Sequence, residues 1–186
     1  MRFATLLLAA AALAAPAAAQ TPVDLPRFDG IELRGGGDVT VRHGAVQRVT
    51  FTEAEAGQAA FDVVRGKLVI RACRKSCRNQ RLRVEIVTPR LDAAAITGGG
   101  TIRLAAGLPP RDNLALAVTG GGRIDAGPVR AANVAASVKG GGTIQAGTPR
   151  ALAVSIAGGG SVHYCGDPAK TVSVHGGGTV SKSCSR

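Results

Sequence analysis

Twelve carboxylates, 23 Lys and Arg, three His and four Cys are the groups in this 186-residue chain that could do chemistry. Cleaving a sugar chain takes two carboxylates gathered on one face, as acid and base or around calcium, with aromatic platforms for the rings. The acids here share no offset. Asp38, Asp125 and Asp167 stand at different distances from the glycine triplets described below, and Asp92 and Asp112 lie near turns. Beyond the first 19 residues the aromatic side chains are Phe28, Phe51, Phe61 and Tyr164. Ser137, Ser155 and Ser173 do recur three residues before a triplet. With no His or acid at a matching offset, they read as a solvent-facing hydroxyl ladder and not as nucleophiles. The chain is therefore read as a non-enzyme with no catalytic residue. The competing reading is a carbohydrate-active enzyme, a polysaccharide lyase or hydrolase; loss of turnover on mutating a single acid would reveal it.

The cysteines depend on compartment. Arg2 precedes an apolar run from Thr5 to Ala15, too short to span a bilayer, and Ala17-Ala18-Ala19 supplies the small residues of a cleavage site. Residues 1–19 are expected to be a signal peptide cut before Gln20, and residues 20–186 one domain, periplasmic or secreted, with no transmembrane segment. In an oxidising compartment Cys73, Cys77, Cys165 and Cys184 read as disulfides, with three possible pairings. Cys73-x3-Cys77 is half a metal motif at most, because the other two cysteines lack a short spacing and His43, His163 and His175 are scattered. No metal or cofactor is expected.

The balance of charge is basic. Without Arg2 the chain carries 22 basic against 12 acidic residues, or +10. Arg65, Lys67, Arg71, Arg74, Lys75, Arg78, Arg81, Arg83 and Arg90 face the single acid Glu85 within residues 65–90, which is +8. Like charges so crowded are either screened by salt or offset by an anionic partner. Arg71, Arg74, Lys75, Arg78, Arg81 and Arg83 form the candidate anion-binding group. The partners expected are anionic envelope polymers or lipid headgroups, bound weakly and salt-sensitively. Sequence-specific nucleic-acid recognition would need a reading helix or an aromatic stacking surface. Arg111, Arg130, Arg150 and Lys170 each follow a turn, and stacking would set them in a rough row along one edge.

The elements that must position these groups are written in glycine. Six triplets recur, Gly35-Gly36-Gly37, Gly98-Gly99-Gly100, Gly120-Gly121-Gly122, Gly140-Gly141-Gly142, Gly158-Gly159-Gly160 and Gly176-Gly177-Gly178. Their steps are 63, 22, 20, 18 and 18 residues, a repeat near 20 in which 63 corresponds to about three coils without a triplet. Two residues before each triplet stand Leu33, Ile96, Val118, Val138, Ile156 and Val174; four after its first glycine stand Val39, Ile102, Ile124, Ile144, Val162 and Val180. The positions between are polar or small, so the period is two and both aliphatic sets face one side. Each triplet reads as a sharp bend where a Cβ would be in the way, so Gly121→Val or Gly141→Val is expected to impair folding. A phosphate cradle is excluded because each triplet runs into a strand and not a helix N-terminus.

Gly-Pro and Gly-x-Pro turns punctuate the far side, as at Gly127-Pro128 and Gly147-Thr148-Pro149. The expected fold is all-β, a right-handed parallel β-helix with coils of about 18–22 residues, Gly-Gly-Gly corners and a less regular N-terminal third. Cys165 lies seven residues after its triplet starts and Cys184 eight after the next, so stacking brings them together, leaving Cys73 to pair with Cys77.

Phe28-Asp29-Gly30-Ile31, then Gly35-Gly36-Gly37-Asp38-Val39-Thr40-Val41, the Gly66-Lys67-Leu68-Val69-Ile70 strand, Val84 to Pro89 and Tyr164-Cys165-Gly166-Asp167-Pro168 resemble the putative autotransporter adhesin head GIN domain family. The resemblance spans about residues 24 to 183. It implies a right-handed β-helix in an exported bacterial protein, carries over no catalytic residue, and suggests an adhesin-head-like binding or structural module of the cell envelope.

Overall fold

Alternating aliphatic and polar residues between glycine corners produce strands and no helix among the described residues. The structure, a computed structural model, describes residues 21–52, 59–72 and 82–184. Its strands are β1 (Thr21–Val23), β2 (Gly30–Gly35), β3 (Asp38–His43), β4 (Arg48–Thr52), β5 (Ala60–Val64), β6 (Lys67–Arg71), β7 (Arg83–Thr88), β8 (Ala93–Gly98) and β9 (Thr101–Leu104). They continue as β10 (Arg111–Gly120), β11 (Arg123–Asp125), β12 (Ala131–Gly140), β13 (Thr143–Gln145), β14 (Ala151–Ala157), β15 (Ser161–Tyr164), β16 (Ala169–His175) and β17 (Thr179–Lys182).

Two open sheets result. One has nine strands in the order β1-β4-β7-β3-β9-β11-β13-β15-β17, the other eight in the order β16-β14-β12-β10-β8-β2-β6-β5. A single right-handed parallel β-helix is not what the chain forms. The sheets mix strand directions, since β1–β4, β4–β7 and β5–β6 pair antiparallel. The physical reason lies in the 63-residue step, which does not wind three further coils. Arg65 and Gly66, both at positive φ, reverse the chain between β5 and β6 as a hairpin. β6 and β7 then pair with β2 and β3 on one side, while β8 and β9 pair with them on the other. The first and second triplets, far apart in sequence, are thereby neighbours, with Gly35 opposite Gly98.

From there each repeat adds one layer in parallel register. Val118 sits between Ile96 and Val138, and Ile124 between Ile102 and Ile144. Ten of the twelve aliphatic positions are buried; Val174, in the last layer, is 39% exposed and Val180 only partly covered. The inner faces of both sheets share one core. Ser137, Ser155 and Ser173 pair in register on the outer face, as the hydroxyl ladder required.

The glycine corners divide into unlike positions. In the triplet 120–122, Gly120 has φ +113° and a Cβ there would lie 2.7 Å from the Gly98 carbonyl oxygen. A Cβ on Gly122 would lie 2.6 Å from Ile96 Cγ2 and 2.9 Å from the Gly100 oxygen, whereas one on Gly121 would meet nothing within 4 Å. The same division holds for the triplets at Gly98, Gly140, Gly158 and Gly176. The expectation that Gly121 or Gly141 is a constrained bend is therefore corrected: the close approach belongs to the first and third glycines.

Candidate anion-binding surface

Of the six expected anion-binding residues, Arg74, Lys75, Arg78 and Arg81 lie outside the described residues, and the fold separates the other two. Arg71 is on β6 of the eight-stranded sheet, hydrogen-bonded to Asp62 across the β5–β6 hairpin. Arg83 opens β7 on the nine-stranded sheet. There the register sets Asp38 between Arg83 and Thr101, and Thr40 between Glu85 and Arg103. Arg42, Arg83 and Arg103 thus converge with Asp38 and Glu85 around a hollow of about 500 Å³. Arg42 Nε is 3.1 Å from Glu85 Oε1 and Arg103 Nη1 is 3.6 Å from Asp38 Oδ1. These pairs are well exposed, so each contributes at most about 1 kcal/mol, and three guanidiniums outnumber two carboxylates.

Arg42 and Arg103 escaped sequence reasoning because they sit 41 and 20 residues from Arg83. A signal existed: Thr40 and Arg103 each lie five residues after a triplet begins, so one column was readable.

The row expected along the turn edge forms in part. Arg111, Arg130 and Arg150 border one hollow of about 420 Å³, while Lys170 donates to Tyr164 Oη at 2.8 Å, its Nζ 5.1 Å from the ring centroid. A larger hollow of about 740 Å³ adjoins it and takes in both Asp92 and Asp112, which the sequence did not bring together. Asp92 is held by Arg90 and lies 3.5 Å from Arg111. The same hollow is lined by three cations, Arg90, Arg111 and Lys170. Among the described residues no group of three His, Cys, Asp or Glu could hold a metal ion.

Cys165 and Cys184 are bridged, with Cα atoms 4.9 Å apart and a sequence separation of 19. This is the pair the layer register called for; Cys73 and Cys77 lie outside the described residues. Among the described residues no helix is long and apolar enough to cross a membrane.

Glu32, on the outer face of the eight-stranded sheet, accepts a hydrogen bond from Arg34 at 2.6 Å and has Lys67 at 3.7 Å. The Arg34 hydrogen bond, helped by Lys67, holds its carboxyl below the ordinary value. A depressed carboxyl stabilises above its unfolded-state pKa, and this is lost as pH falls through the folded value. Glu32→Gln should therefore lower the urea midpoint slightly at pH 7, by the equivalent of under about 1 kcal/mol, and the gap between variant and parent should shrink as pH falls through the folded-state value of Glu32.

The fold and surface define a repeat-built all-β scaffold whose distinctive chemistry is surface charge. The family described as "Putative auto-transporter adhesin, head GIN domain" matches residues 27–108 and 111–168, and the chain belongs to that family. Among solved structures it is similar to a putative adhesin from Bacteroides fragilis, at TM-score 0.58 and 19% identity over 88% of this chain and 96% of that one. It is also similar to a putative lipid binding protein from Parabacteroides distasonis, at TM-score 0.55 and 16% identity over 89% and 96%. At such identities the likeness concerns the fold. No curated protein matches the chain.

Proposed function

We propose that this chain is an exported, non-enzymatic binding or structural module of the cell envelope that engages anionic envelope polymers or lipid headgroups through its N-terminal basic surface. The observation that carries the reading is the convergence of Arg42, Arg83 and Arg103 around one open hollow, with Arg83 two residues beyond the basic segment 71–81 in sequence. Family membership supports an adhesin-like role, and the name of one structural neighbour makes lipid one arm of the test. The carbohydrate-active enzyme is supported less well, since the two acids that meet in a hollow are flanked by cations there.

Retention on anionic vesicles and on lipopolysaccharide is to be measured across a salt series. The comparison is between the parent, Arg42→Ser/Arg83→Ser/Arg103→Ser, and Arg74→Ser/Lys75→Ser/Arg78→Ser/Arg81→Ser. Each cation near an anionic surface is worth about 1 kcal/mol, so three removed should weaken retention roughly a hundredfold at low salt. Equal retention of all three proteins, or none by the parent at low salt, would eliminate the reading.

A further inference from the structure

We propose that the turn-side edge of the eight-stranded sheet is a second binding site, for a linear acidic polysaccharide lying along the stack of layers. This deepens the envelope-binding reading by naming a separate surface and a polymer class.

Arg111, Arg130 and Arg150 occupy three successive repeats, and backbone bonds between layers set their spacing. Arg111 N donates to the Arg130 oxygen at 2.9 Å, and Arg150 N to the Ala132 oxygen at 2.9 Å. Arg111 is held in place, its Nε donating to the Pro110 oxygen at 3.0 Å and its Nη1 lying 3.5 Å from Asp92 Oδ1. Arg130 and Arg150 are exposed. The hollow they border shares Arg111 and Asp112 with the larger one, and the two together hold five cations against two carboxylates. The edge is therefore a net-positive groove crossing several layers.

Beside the cations runs a different chemistry. Asn133 Nδ2 donates to Asn113 Oδ1 at 3.1 Å, which leaves the Asn113 amino group and the Asn133 carbonyl oxygen for a ligand. Ala115, Ala135 and Ala153 continue the floor, paired in register and ending at Cβ. Guanidiniums for carboxylates, amides for hydroxyls and a flat floor for ring faces are the three contacts that a uronate polymer offers side by side. Layers rise by about 4.8 Å, comparable with the advance of one sugar ring, so a polymer along the stack brings about one carboxylate to each layer, where the arginines stand in neighbouring columns, Arg111 opposite Ala131 and Arg150 bonded to Ala132. Nucleic acid is disfavoured because stacking surfaces are missing from the groove lining, and Lys170 covers Tyr164. A lipid surface would need exposed large apolar side chains between the cations, where this groove has alanine and amides.

The test uses polygalacturonate as probe, with polyphosphate as a charge control and anionic vesicles in parallel, all with the full chain. Arg130→Ser/Arg150→Ser and, separately, Asn113→Ala/Asn133→Ala should each lose at least tenfold in polygalacturonate affinity while keeping vesicle retention and thermal stability. Arg42→Ser/Arg83→Ser/Arg103→Ser should keep polygalacturonate affinity, so failure of the N-terminal surface and failure of this edge are read separately. No binding of polygalacturonate by the parent, undiminished binding in both double variants, or equal binding of polyphosphate would overturn the proposal.

Discussion

Gly122→Ala should destabilise the protein by about 3 kcal/mol, lowering the thermal midpoint by roughly 10 °C, while Gly121→Ala beside it leaves stability unchanged or raises it slightly. The new Cβ at Gly122 would sit 2.6 Å from Ile96 Cγ2 and 2.9 Å from the Gly100 oxygen. Neither neighbour can yield cheaply. Ile96 is 1% exposed, and its strand β8 is paired on both sides, with β2 and with β10. The Gly100 oxygen accepts from Arg123 N at 2.9 Å, so relieving the clash breaks a bond between layers. Gly120→Ala should cost a similar amount for a different reason, because φ +113° strains any side chain and the Gly98 oxygen is 2.7 Å from its Cβ. At Gly121 the Cβ points into open space and φ is not positive, so the chief effect is reduced freedom of the unfolded chain. Urea or thermal unfolding of the three single variants checks this; equal losses at Gly121 and Gly122 would contradict the geometry.

Replacing Cys165 and Cys184 by Ser should cost about 3 kcal/mol, the loop-closure value for a separation near 19 residues, and the loss should concentrate in the last layer. That layer has the least to hold it. β16 is an edge strand with another strand on one side only, and its Val172 and Val174 are 45% and 39% exposed. Besides the bridge, β17 gains the Lys182–Asp167 pair at 2.8 Å, which is exposed and worth little. Amide hydrogen exchange should show β16 and β17 losing protection in the double variant while β8 to β12 keep theirs. Uniform loss across the sheets would mean that the bridge acts on the whole unfolded chain and not on this edge.

The residue order alone determined a good deal. Twelve aliphatic positions at fixed offsets from six triplets establish which side of each strand faces the core, because a period of two admits no other assignment. The same offsets placed Cys165 over Cys184 and lined up Ser137, Ser155 and Ser173.

Only the tertiary structure decided which layer lies against which. A parallel strand offers equivalent hydrogen-bonding edges on both sides, so alternation leaves its neighbours open. The choice fell to long-range packing: the Leu82 carbonyl oxygen accepts from Asp38 N at 2.8 Å and lies against Gly37, while the Arg34 carbonyl oxygen accepts from Ala72 N at 3.0 Å. These contacts place β6 and β7 on one side of the first triplet layer and leave the other side for β8 and β9. The β5–β6 hairpin and the antiparallel β4 follow from that choice, and with them two mixed, open sheets in place of one uniform coil. The meeting of Arg42, Arg83 and Arg103 is a consequence of the same placement, since one-dimensional spacing holds their columns but not the order in which strands from distant segments come together.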